Sequence, residues 1–169
     1  MSYFLALALA CTSEKEDTGE AAPPINQDSG GEVTECTGTA PVITSLTVSN
    51  GGIMTFDEGD FPTVLVEIEV EDPDLDLARM RADIWWDETV DGVVDTSAAG
   101  LNGDWVQLGE EPCTIDRGGY GLRLAVGDGR FAPATVYEFA MVAYDAHEVA
   151  SNVGVGAGTT PNADGSDGR

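Results

Sequence analysis

Positive charge is what this sequence has least of: six arginines and one lysine stand against 31 acidic residues, for a net charge of −24 over 169 residues. A surface of that sign repels phosphate backbones, so nucleic acid is excluded as an expected partner. Histidine is nearly missing, with His147 alone, and the three cysteines include no Cys-x-x-Cys pair, which leaves a zinc site without support. There is no glycine-rich phosphate loop and no cofactor motif. The N-terminal apolar run Tyr3–Ala10 has eight residues, where a membrane-spanning helix needs about 20. No stretch keeps a 3.6-residue apolar period, so helix is expected to be nearly absent.

What the chain does have is period-two patterning. Hydrophobic residues make up 42%, enough for one core, and 21 glycines with 8 prolines provide many turns. In Thr63–Leu77, Val64, Val66, Ile68 and Val70 alternate with Leu65, Glu67, Glu69 and Glu71, the pattern of a strand with one buried face. Val42–Val48 reads as a first strand, Ser49-Asn50-Gly51-Gly52 as a turn, and Ile53–Phe56 as a continuation of that edge. Ala78–Trp86 places Met80, Ala82, Ile84 and Trp86 on one face. Asp87–Gly103 reads as a long polar loop, followed by short strands at Trp105–Leu108, Tyr120–Val126, Val136–Tyr144 and Val149–Val155. Seven to eight short strands at this spacing predict an all-β antiparallel sandwich over residues 41–156, with 157–169 a disordered tail.

The N-terminus reads as an address. Tyr3–Ala10 suits the apolar region of a signal peptide occupying residues 1–10. Leu9-Ala10-Cys11 resembles the lipobox of bacterial lipoproteins, which implies cleavage before Cys11, acylation of that cysteine and a membrane-anchored protein of the cell envelope. Residues 11–40 are polar and acidic, with Ala21-Ala22-Pro23-Pro24 and Asp28-Ser29-Gly30-Gly31 as further flexible patches, the composition of a tether.

Phe131 through Asp145, with Pro133, Tyr137, Phe139, Met141 and Ala143, ends at Ser151-Asn152. It resembles the sixth-strand signature of fibronectin type III and related immunoglobulin-like modules. The resemblance implies that Tyr137 forms a corner after the proline-containing turn, and that Phe139, Met141 and Ala143 face the core. In a sandwich of that order, the start of the first strand and the loop between the fourth and fifth strands share a pole. Cys36 and Cys113 fall there, and an exported protein permits their pairing.

Two acidic stretches offer the several oxygens that a hard cation wants. Asp72, Asp74 and Asp76 sit at alternating positions, and the shared pole brings in Asp145 from the loop after the sixth strand, much as calcium sites lie at the poles of cadherin-like sandwiches. Asp87, Thr89, Asp91 and Asp95 resemble an EF-hand loop, with Ala98 where the bidentate glutamate would stand. Calcium is the expected ion for either, and the same residues are also ordinary turn formers.

The expected function is a structural or adhesive immunoglobulin-like module on a cell-envelope lipoprotein, with other surface proteins or glycans as partners. A carbohydrate- or ligand-binding module using Trp85 is the alternative. A small hydrolase built on Asp145, His147 and Ser151 ranks below both, and no enzyme activity is expected.

Overall fold

The alternating apolar positions form strands from Val42 to Thr159. A computed structural model describes Cys36 and residues 38–168, so the expected signal peptide, Cys11 and the expected tether through residue 35 lie outside the described residues. Eight strands follow in order: β1 Val42–Phe56, β2 Gly59–Glu71, β3 Arg79–Asp87, β4 Leu101–Asn102, β5 Val106–Gln107, β6 Arg117–Ala125, β7 Val136–Tyr144 and β8 Ala150–Thr159. One sheet has the order β1-β2-β6; the other has β4-β3-β7-β8, with β5 also pairing β3. All the strand pairs are antiparallel, and no helix occurs among the described residues.

The two sheets pack face to face around one core. From β2 come Val64, Val66, Ile68 and Val70; opposite them lie Met80, Ala82 and Ile84 of β3 and Phe139, Met141 and Ala143 of β7, every one buried. At one end Phe131 stacks among Trp86, Tyr137 and Phe139, with ring centroids 4.9, 5.3 and 5.9 Å away. Tyr137 is fully buried and its hydroxyl accepts the Ala132 N–H at 3.0 Å, across the turn that holds Pro133.

Register places the strand ends. Val42 lies opposite Glu71, Glu71 opposite Arg117, Arg81 opposite Tyr144, and Tyr144 opposite Ala150. The loops after β2 and β7 therefore meet at one pole, together with the start of β1. Along the adjoining side β1 covers β8 so closely that a Cβ on Gly154, Gly156 or Gly158 would lie 2.5–2.7 Å from Ile43, Leu46 or Val48. Only glycine permits that approach.

Three expectations differ from this fold. Ser49–Gly52 is not a turn but lies inside β1, where the register shifts between Asn50 and Gly52; Gly52 takes φ +75 and its N–H bonds the Asn50 side chain. The chain reverses at Asp57-Glu58, between β1 and β2, where the sequence also reads as a turn. The loop after β3 is not simply a solvated excursion, because Glu138 of β7 accepts the Asp91 and Gly92 N–H groups and Val94 is buried. Nor does the fold stop at residue 156: β8 continues to Thr159, and Thr160 is fully buried with its hydroxyl donating to Ala132 O at 2.6 Å. Beyond it, Asn50 donates to Gly165 O and to the Asp167 carboxylate. Polar composition suggested a disordered tail; hydrogen bonds to Asn50, Ala132 and Thr135 hold it instead.

Candidate metal centre

The strand β2 ends where Pro73 interrupts the pattern, and the chain crosses to the other sheet through residues 72–78. Asp72 organises this crossing. Its Oδ1 accepts the Asp74 N–H at 2.8 Å and its carbonyl accepts the Leu75 N–H at 3.2 Å. Leu75 takes a left-handed φ of 68 to complete the turn. The loop after β7 is built on the same plan. Asp145 Oδ1 accepts the N–H groups of His147 and Val149 at 2.8 and 2.9 Å, and Glu148 takes φ 65. Each aspartate thus spends one carboxylate oxygen on its own loop and keeps the other back.

Those retained oxygens are the informative feature. Asp72, Asp76 and Asp145 are 2%, 1% and 0% exposed, yet Asp72 Oδ2, Asp76 Oδ1 and Asp145 Oδ2 are buried without a hydrogen-bond partner. Leaving one buried acceptor unmet costs about 1–3 kcal/mol, and more for a charged group. Asp76 Oδ2 meets His147 Nδ1 at 2.7 Å, and Asp76, Asp145 and His147 each offer a ligand atom within 4.8 Å of the others'. Among the described residues that is the group of acid and imidazole side chains close enough to share an ion.

Electrostatics agree with the geometry. Burial, and then the Asp76 carboxyl beside it, pushes the Asp72 carboxyl up to about 7. Burial also raises Asp145, partly offset by the Val149 N–H that its carboxylate accepts. Two facing carboxylates have only lone pairs to offer each other, so a proton or a cation must come between them. Two carboxylates and one imidazole within 4.8 Å are donor types that divalent cations take.

Of the four residues expected to form this site, Asp76 and Asp145 come within 4.8 Å of each other, and Asp72 lies beside Asp76 at the edge of that group. Asp74 stands apart, its Oδ2 accepting the Thr39 N–H at 2.5 Å. His147 belongs to the cluster instead; its place two residues after Asp145 was the available signal. The second stretch does not converge. Asp87, Asp91 and Asp95 each accept the N–H two residues on, from Thr89, Val93 and Ser97, which makes them turn formers.

The same pole carries the disulfide. Cys36 and Cys113 are joined, with Cα atoms 5.3 Å apart and 77 positions of sequence between them. The Cys113 loop is in turn sewn to the acidic crossing: Asp72 N–H donates to Asp116 O at 2.8 Å, and Leu75 and Leu77 exchange backbone bonds with Ile115.

Two other readings find less. Trp85 donates its indole N–H to Ala98 O at 3.0 Å, and Gly100 lies against its ring, so that face is occupied by the chain itself. Ser151 Oγ donates to Asn152 O and accepts the Ala143 N–H, both local backbone bonds. Comparison with family models, with curated proteins and with solved structures finds no match.

Proposed function

We propose that this protein is an exported cell-envelope lipoprotein carrying one structural or adhesive immunoglobulin-like module whose tether-side pole is locked by calcium. The observation that carries the cation is the set of three buried carboxylate oxygens, on Asp72, Asp76 and Asp145, with no hydrogen-bond partner. An ion held by Asp76, Asp145 and His147, whose ligand atoms lie within 4.8 Å of one another, would join the crossing after β2 to the loop after β7. The immunoglobulin-like reading is supported by a three-stranded antiparallel sheet packed on a five-stranded one and by the Tyr137 hydroxyl bond to Ala132. Support for export and anchoring comes from the apolar run before Cys11 and from the Cys36–Cys113 bridge, which suits an oxidising compartment. Partners of such a module would be other surface proteins or glycans.

A cation that binds the folded state alone stabilises it by RT ln(1 + [L]/Kd), about 2.7 kcal/mol at a hundredfold excess over Kd. The test is a thermal melt in chelator and in millimolar calcium. A calcium-dependent rise that magnesium reproduces poorly and that Asp145→Asn abolishes is the expected result. Coincident melts in chelator and calcium would refute the cation site. Anchoring is tested separately, by whether Cys11→Ser releases the protein from the membrane fraction.

A further inference from the structure

The pole opposite the acidic cluster holds a cavity of about 420 Å³, between the β1–β2 hairpin tip, the end of β6 and the loop 127–131. Phe56 and Phe61 form one wall, half-buried and in edge contact with ring centroids 6.0 Å apart, and Phe131 lies at the base. Two of the chain's six arginines, Arg123 and Arg130, line the same space. With Glu58 and Asp128 on the same lining, the cavity is balanced in charge within a chain of net charge −24.

We propose that this cavity binds a monocarboxylate carried on an apolar, aryl-sized body, with Arg123 receiving the carboxylate and Phe56 and Phe61 enclosing the body. Arg123 is held in place by one bond, from Nη1 to the Gly51 carbonyl. Among the described residues its guanidinium forms no ion pair. A guanidinium fixed at one end and open at the other has the fork that a carboxylate fits bidentately. Arg130 is differently placed, with Nε 4.0 Å from the Asp128 carboxylate. Asp128 and the exposed Glu58 on the rim make a dianion costly, which favours a carboxylate over a phosphate. The volume suits a small body, and the half-buried phenyl rings gain by losing their remaining water. The shared chemistry could come from a free arylalkanoic acid or from the C-terminal residue of a protein ending in an aromatic side chain.

The experiment titrates the full-length chain calorimetrically with 4-phenylbutyrate, with its amide, and with the peptide acetyl-Ala-Ala-Phe bearing a free carboxyl. Saturable binding of at least one acid, at least tenfold weaker binding of the amide, and a tenfold or greater loss in Arg123→Gln are expected. Asp128→Asn, which removes a like charge without touching Arg123, should strengthen acid binding several-fold, and it keeps the test open if Arg123→Gln folds poorly. Binding of the peptide alone would identify a protein terminus as the source, and binding of the free acid alone a small metabolite. Equal affinity for acid and amide, or no saturation by either acid at 10 mM, overturns the proposal.

Discussion

Asp76 and His147, 71 positions apart in the chain, meet at 2.7 Å between Oδ2 and Nδ1. The contact links the crossing after β2 to the loop after β7, supported by a long backbone bond from Ala146 N–H to Asp76 O at 3.4 Å. It also leaves Asp76 Oδ1 turned inward with the unmet oxygens of Asp72 and Asp145. The pole is therefore assembled but electrically unfinished, and its behaviour toward protons and cations follows from that.

Stability in chelator should fall as pH rises. Asp72, raised to about 7 chiefly by burial, and Asp145, raised for the same reason, hold protons in the folded state that the unfolded chain has already released. The native state then binds more protons than the unfolded state between about pH 4 and pH 7, so unfolding free energy declines across that window and levels off above it. Denaturant melts from pH 4 to 8 should show a loss on the order of 2–4 kcal/mol, at about 1.4 kcal/mol for each unit of raised pKa. Calcium should remove most of the slope. A stability that rises with pH through this window would contradict the assignment.

Asp72→Asn separates charge from shape. The amide removes one negative charge from the buried group and can donate to Asp76, so in chelator at pH 8 the variant should be more stable than the parent by about 1–3 kcal/mol. It should also lose the calcium response. Asp91→Asn, placed in a loop whose acids form turns, should change neither quantity. Paired melts with and without calcium read both effects.

Cleaving the Cys36–Cys113 bridge should act on the pole as well as on the chain. A disulfide closing a loop of this length contributes about 4 kcal/mol in the chain-entropy model. Because the Cys113 loop shares backbone bonds with Asp72, Leu75 and Leu77, calcium affinity should weaken in the doubly substituted Cys36→Ser, Cys113→Ser protein. Melts with and without reductant, followed by calorimetric titration, distinguish the two losses.

Phe139→Ala should cost roughly 3–5 kcal/mol, the range for removing a fully buried phenyl ring. Its neighbour Phe131 would lose one of its stacking partners, at 5.9 Å, and β7 has no freedom to collapse into the space because it pairs on both sides, with β3 and β8. Equilibrium denaturation measures it, and a loss below about 1 kcal/mol would place Phe139 on the wrong face.

The sequence by itself determined the longer strands and their inward faces, because a period of two depends only on neighbouring positions, whereas the two-residue β4 falls inside what reads as loop. Val64 to Val70, Met80 to Ile84 and Phe139 to Ala143 each carry their burial in their spacing. Tyr137 and the cysteine pair were legible through a resemblance that predicted which loops share a pole. What local pattern could not supply was decided by the tertiary structure. Asn50-Gly51-Gly52 has the composition of a turn, yet pairing with β2 on either side makes it an irregularity within one strand. The C-terminal residues look disordered until Asn50, Ala132 and Thr135 provide their hydrogen bonds. Asp74 and Asp76 are alike in sequence, and only the packing of the two sheets turns Asp76 toward Asp145 and leaves Asp74 to Thr39. Likewise Arg123 reads as a solvent-facing residue on an alternating strand, and becomes a cavity wall only when the hairpin tip with Phe56 and Phe61 folds beside it. Side-chain period is written in the chain because it is short-range; convergence of residues 71 positions apart is a property of how the sheets close.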